Sequence, residues 1–148
     1  MNKQMPPLNR EPITILLVED EPAHAEIVRR NLAVFPAAHR IVHVEDGQMA
    51  LDYLFGAKPG SLPDLILLDL RLPKVDGLEV LRQIQASGTL KNTPIVVLTT
   101  SATDADLAAA FHLGASSYQL KSVTFEGYTE LLGTAPQPEN RRRPPLHE

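Results

Sequence analysis

Short apolar runs alternate with longer amphipathic stretches along this chain. The first run, Ile13-Thr14-Ile15-Leu16-Leu17-Val18, ends abruptly in Glu19, Asp20 and Glu21 and reads as a buried strand. Pro22 follows, suited to the first turn of a helix, and Ala25, Ile27, Val28, Leu32 and Phe35 recur at helical spacing before Pro36. Arg40 to Glu45 predicts a second strand, Asp46-Gly47 a turn, and Ala50, Leu51, Tyr53, Leu54 and Phe55 the apolar face of a second helix. After a loop over Gly56 to Pro63, Leu65-Ile66-Leu67-Leu68-Asp69 is apolar at successive positions, as expected of a central parallel strand covered on both faces. Leu78, Val80, Leu81 and Ile84 carry a third helix, and Ile95 to Thr99 forms a fourth strand. Leu107, Ala110, Phe111 and Leu113 carry a fourth helix closed by Gly114, and Ser116 to Lys121 is a fifth strand. A last short helix is expected through Phe125, Tyr128, Leu131 and Leu132.

This alternation, without an internal repeat, predicts an α/β fold built on an open parallel sheet. Such sheets bind ligands at the carboxyl ends of their strands, so the polar residues there are the candidate site. They are Glu19 and Asp20 after the first strand, Asp69 after the third, Thr99 after the fourth and Lys121 after the fifth.

Composition narrows the chemistry. The chain has 148 residues, 43% of them hydrophobic and 22% charged, which suits one globular domain. It has no cysteine, which excludes disulfides, thiolate metal sites and a cysteine nucleophile, and suits a cytoplasmic setting. The net charge of -4 offers no general attraction to nucleic acid or anionic lipid. Arg141-Arg142-Arg143, between Pro138 and Pro144, reads as a solvated tail, so neither nucleic acid nor membrane is expected as a partner. The five histidines, His24, His39, His43, His112 and His147, show no metal-binding spacing, and none is expected in a site.

Three acids in one cleft repel one another unless a cation compensates, and hard oxygen ligands select Mg²⁺ or Mn²⁺. Acids at strand ends also serve as caps, and Asp20 can be read as a cap of the first helix. Asp69 is less easily read that way, because a carboxylate directly after four aliphatic residues is partly desolvated unless it is paired. Lys121 can supply the pairing charge and Thr99 a hydroxyl. Metal, lysine and hydroxyl together suit phosphoryl transfer, with Asp69 as a nucleophile that forms an acyl phosphate.

In order and spacing, Glu19-Asp20, Asp69, Thr99 and Lys121 resemble the receiver domain of two-component response regulators. Pro73 and Gly77 in the segment after Asp69, Pro94, Gly114-Ala115 and Tyr118 extend the match, which spans about Ile13 to Leu132. The resemblance implies a doubly wound, flavodoxin-like (βα)5 sandwich with strand order 2-1-3-4-5. It also implies that Asp69 accepts the phosphoryl group, and that Glu19, Asp20, Asp69 and the backbone carbonyl of Arg71 position Mg²⁺ or Mn²⁺. Lys121 would contact the phosphoryl group, while Thr99 and Tyr118 would report the phosphorylated state. Read alone, Tyr118 is also an ordinary strand aromatic, and Arg71 a surface cation beside an acidic cleft.

Ser122 follows Lys121 where most receivers have a proline. Lys-Ser here, with Leu-Val-Glu-Asp, Leu-Leu-Asp-Leu-Arg-Leu-Pro and Leu-Thr-Thr-Ser, is similar to the stand-alone receivers that serve phytochrome histidine kinases. That implies such a kinase as partner and a role in phosphorelay rather than substrate turnover. The expected organisation is an extension over residues 1–12, a receiver over 13–133 and a Pro/Arg-rich tail over 134–148, too short for a DNA-binding output domain. The apolar residues of the short last helix suggest a homodimer through the face made by helix four, strand five and helix five. Two other readings stand beside this one: a phosphorylation-independent scaffold, and an aspartate-nucleophile phosphatase. Against the phosphatase, Arg71 stands where such enzymes typically place a second acid.

Overall fold

In the computed structural model the described residues are 12–33, 39–56, 62–100 and 103–121. Five strands, β1 (Ile13–Val18), β2 (His39–Val44), β3 (Leu65–Asp69), β4 (Ile95–Thr99) and β5 (Ser117–Leu120), form one parallel sheet in the order β2-β1-β3-β4-β5. Four helices connect them in turn: α1 (Pro22–Ala33), α2 (Gly47–Gly56), α3 (Gly77–Ser87) and α4 (Asp106–His112). The expected last helix, with Phe125, Tyr128 and Leu132, lies outside the described residues, as do Ser122 and Arg141 to Arg143.

The unbroken apolar runs of β1, β3 and β4 are explained by cover on both faces. Every residue of these three strands is buried. Leu16, Val18, Ile66, Leu68 and Val97 pack with α2, α3 and α4 through residues such as Leu54 and Leu81. Ile15, Leu17, Leu65, Leu67, Val96 and Leu98 point to the other face, where Ala25, Val28 and Leu32 of α1 cover them. Each fully buried aliphatic side chain contributes roughly 1.5–3 kcal/mol relative to exposure, so the central strands dominate the core.

Three expectations are corrected here. Asp46-Gly47 is not a separate turn: α2 starts at Gly47, and the Asp46 carboxylate caps it by accepting from the Met49 N–H at 2.7 Å. Phe55 and Phe111, read as members of apolar helix faces, are 45% and 42% exposed, and the buried contacts of α2 and α4 are made by Ala50, Leu51, Leu54, Leu107 and Ala110 instead. The outer strands also shift slightly: β2 runs from His39 to Val44, and β5 stops at Leu120, leaving Lys121 just beyond the ladder.

Two glycines let helices approach the sheet edge. A Cβ on Gly77 would lie 2.5 Å from Leu70 Cα and 2.7 Å from the Asp69 carbonyl oxygen, so only glycine lets α3 start directly under the end of β3. The Gly77 N–H donates to the Leu70 carbonyl at 3.0 Å, and Asp76 caps α3 by accepting from the Glu79 N–H. A Cβ on Gly47 would collide with the Val75 carbonyl in the same loop. The β3–α3 loop, which carries Arg71, is thus held between two helix N-termini.

Candidate functional site

Strand register brings the candidate residues to one edge. Val18 pairs with Leu68, so Glu19 and Asp69 stand level one residue on. Asp69 pairs with Leu98, and Thr99 with Leu120, so Thr99 and then Lys121 each follow one step further along. These residues and Asp20 line a single cleft of about 260 Å³.

Glu19 is fully buried, an unusual place for a carboxylate. Its backbone continues the ladder by donating to the Val44 carbonyl at 3.1 Å, while its carbonyl lies 2.8 Å from His43 Nε2. Its Oε2 accepts from the Glu21 N–H at 3.1 Å, and Oε1 lies 2.9 Å from Lys121 Nζ. Asp69 is also buried; its Oδ1 accepts from the Arg71 N–H at 3.0 Å and its Oδ2 from Lys121 Nζ at 3.0 Å. The Lys121 N–H donates to the Thr99 carbonyl at 2.6 Å, which anchors the lysine beyond the end of β5. Asp20 is exposed at the rim.

Burial pushes the Glu19 carboxyl above its ordinary value; the Lys121 hydrogen bond opposes that shift and the nearby Asp69 charge adds to it. For Lys121 burial acts downward, yet its bonds and charge attraction to Glu19 and Asp69 outweigh it and raise its pKa. Glu19, Asp20 and Asp69 each offer a carboxylate oxygen, all within 4.8 Å of one another. One lysine cannot balance three clustered carboxylates, and an all-oxygen donor set fits a hard divalent cation.

Thr99 is buried, with its hydroxyl facing Asp104 Oδ2 at 3.5 Å. Tyr118 is set back from the cleft, at the level of Val97, and its exposed ring meets Phe111 edge-on at 6.3 Å between centroids. The structure therefore assembles Glu19, Asp20, Asp69, Arg71, Thr99 and Lys121, and leaves Tyr118 outside that group. It adds two residues the sequence analysis did not select. His24 Nδ1 lies 3.3 Å from Lys121 Nζ and 3.8 Å from Glu19 Oε2, which corrects the expectation that no histidine enters the site. Asp104 accepts from Arg71 Nη2 at 2.7 Å, while Arg71 Nη1 lies 2.5 Å from Asp106 Oδ2. The Asp106 bond and the Asp104 charge raise the Arg71 pKa further. The one signal for His24 was its place in the first turn of α1, and for Asp104 its place just ahead of α4; neither reveals a cleft.

The profile of the family described as "Response regulator receiver domain" matches residues 15–132. The chain belongs to the response regulator receiver family. It is therefore a protein of two-component signalling. Among curated relatives, "Probable methanogenesis regulatory protein FilR2" of Methanothrix harundinacea is 49% identical over 118 residues, covering 78% of this receiver and 76% of the relative. Response regulator Rcp1 of Synechocystis is 42% identical over 114 residues, covering 75% and 78% of the two chains. The crystal structure of Mn²⁺-bound Rcp1 superposes with a TM-score of 0.74 at 35% identity, covering 85% of this chain and 100% of that one. The phosphorylated cyanobacterial phytochrome response regulator RcpA does so with a TM-score of 0.76 at 38% identity, covering 86% and 99%. These neighbours share the flavodoxin-like receiver fold. No helix among the described residues is long and apolar enough to cross a membrane.

Proposed function

We propose that this receiver is a response regulator that accepts a phosphoryl group on Asp69 from a sensor histidine kinase, in a reaction that depends on Mg²⁺ or Mn²⁺. One observation carries the reading: Asp69 is a buried carboxylate held between the Arg71 N–H and Lys121 Nζ at the carboxyl end of β3. Those contacts hold the carboxylate at the wall of the cleft, where it can serve as the nucleophile. An Asp69 oxygen forms the new O–P bond as the donor's P–N bond breaks, and the electron pair leaves on the imidazole nitrogen, which takes up a proton. Lys121 Nζ is placed to neutralise charge on a phosphoryl oxygen, and Thr99 carries a hydroxyl in the same cleft. Glu19, Asp20, Asp69 and the Arg71 carbonyl would hold the metal, which supplies positive charge against the phosphoryl oxygens.

The kinase partner is of the phytochrome type, a reading supported by the likeness to Rcp1 and RcpA. The receiver unit covers residues 13–133, with an extension over 1–12 and a tail over 134–148, and works in the cytoplasm without nucleic acid or membrane. Thr99 and Tyr118 act together as the switch. Exposed Phe111, Tyr118 and Leu120 favour a homodimer through α4, β5 and the segment that follows.

The test is intact-mass spectrometry after incubation with Mg²⁺ and acetyl phosphate, with Asp69→Asn alongside. One added phosphoryl group on the wild type and none on the variant is the expected result. Labelling of the variant, or none of a folded, Mg²⁺-binding wild type by either acetyl phosphate or a kinase, would overturn the assignment.

A further inference from the structure

Two hydrogen-bond donors in the cleft, the Arg71 guanidinium and the Thr99 hydroxyl, face a carboxylate that plays no part in the proposed chemistry. Asp104, with a side chain only 13% exposed, lines the same cleft as Asp69. Its Oδ1 accepts from Arg71 Nη2 at 2.7 Å and from the Asp106 N–H at 2.8 Å. Its Oδ2 faces the Thr99 hydroxyl at 3.5 Å. Arg71 Nη1 reaches Asp106 Oδ2, so the guanidinium straps the loop after β3 to the first turn of α4.

Both donors are anchored close to Asp69. The Arg71 N–H bonds to Asp69 Oδ1, and Thr99 stands one position beyond the register partner of Asp69. A phosphoryl group on Asp69 would bring about two negative charges and three acceptor oxygens into this cleft. A hydroxyl and a guanidinium are the donors such a group recruits. Before phosphorylation, Asp104 offers them a carboxylate in the same cavity; afterwards, its charge opposes the phosphoryl charge.

We infer that Asp104 is a built-in stand-in for the phosphoryl group, a positioning residue that holds Arg71 and Thr99 until Asp69 is phosphorylated and then loses them to it. This rests on the receiver reading above. Asp104 thereby sets how readily the cleft accepts phosphate. The exchange also releases Arg71 from Asp106, so loading the cleft removes a tether at the start of α4.

Asp104→Asn separates this role from helix capping. The amide keeps the oxygen that accepts from the Asp106 N–H and from Arg71 Nη2, but removes the charge that strengthens the hold on the guanidinium and turns a donor toward Thr99. The experiment measures the rate of phosphorylation by acetyl phosphate and the affinity for beryllofluoride, an unreactive phosphoryl mimic, in saturating Mg²⁺. Wild type, Asp104→Asn, Arg71→Ala and the double variant are compared. The expected result is a gain of about threefold to tenfold in both quantities for Asp104→Asn, with Mg²⁺ affinity and thermal midpoint little changed. The gain should shrink in the Arg71→Ala background, since the guanidinium that the lost charge would have loosened is then missing. No gain, or a loss, in Asp104→Asn overturns the inference. An equal gain with and without Arg71 also overturns it, because Asp104 would then act by repulsion alone. If no chain binds beryllofluoride or takes a phosphoryl group, wild type included, the receiver reading falls and this inference with it.

Discussion

Lys121 Nζ lies 2.9 Å from Oε1 of Glu19, a carboxylate with no solvent exposure. Removing the lysine would leave Glu19 and Asp69 buried side by side without a cation. Lys121→Met should therefore destabilise the metal-free protein by about 3 kcal/mol, measured by urea unfolding in EDTA. Added Mg²⁺ should restore part of the loss, because a bound cation replaces the missing charge.

The same pair sets an alkaline limit. The Lys121 pKa is raised in the folded state above its ordinary 10.5, so its contribution is fully present below that pH and is lost as pH climbs through the folded value. In EDTA, the stability difference between wild type and Lys121→Met should narrow above pH 10.5. A difference that stays constant through that window would show that the pair is not the source.

Asp20 is exposed while its two carboxylate neighbours are buried. Asp20→Asn should leave the metal-free stability within about 0.5 kcal/mol of wild type. At tenfold excess of Mg²⁺ over its dissociation constant, wild type should gain about 1.4 kcal/mol, or about 3 to 6 °C in Tm. The variant should lose most of that gain, as scanning calorimetry with and without Mg²⁺ would show.

Gly77 meets the backbone at the end of β3 too closely to carry a side chain. Gly77→Ala should cost about 1–3 kcal/mol and weaken Mg²⁺ binding, because α3 and the loop holding Arg71 must shift. Unfolding and metal titration read the two effects separately.

Asp46 both caps α2 and lies 3.6 Å from Lys74 Nζ. Asp46→Ala should cost about 1 kcal/mol in urea unfolding, and Asp46→Asn much less, since the amide oxygen still caps the helix. Lys74 is 70% exposed, so its ion pair contributes little.

Phe111 and Tyr118 meet edge-on at the surface. If that face joins two copies, Phe111→Asp should shift sedimentation from dimer to monomer at little cost to the fold. Unchanged sedimentation would place any interface elsewhere.

Much of the architecture was legible in the pattern alone. Runs such as Leu65 to Leu68 are apolar at every position because a central parallel strand has two buried faces, and the polar residue that ends each run, Glu19, Asp69 or Thr99, marks the sheet edge. Local chemistry therefore determined the strand ends and, with them, the grouping of Glu19, Asp20, Asp69, Thr99 and Lys121. What only the tertiary structure decided are the contacts between segments far apart in the chain. That Arg71 turns to Asp104 and Asp106, that His24 reaches Lys121, and that Phe55 and Phe111 face outward depend on strand register and loop path. Periodicity states that a residue is apolar and on which helix face it lies. Whether another segment covers that face, or which of several carboxylates a guanidinium reaches, is settled by packing in three dimensions, which no local pattern encodes.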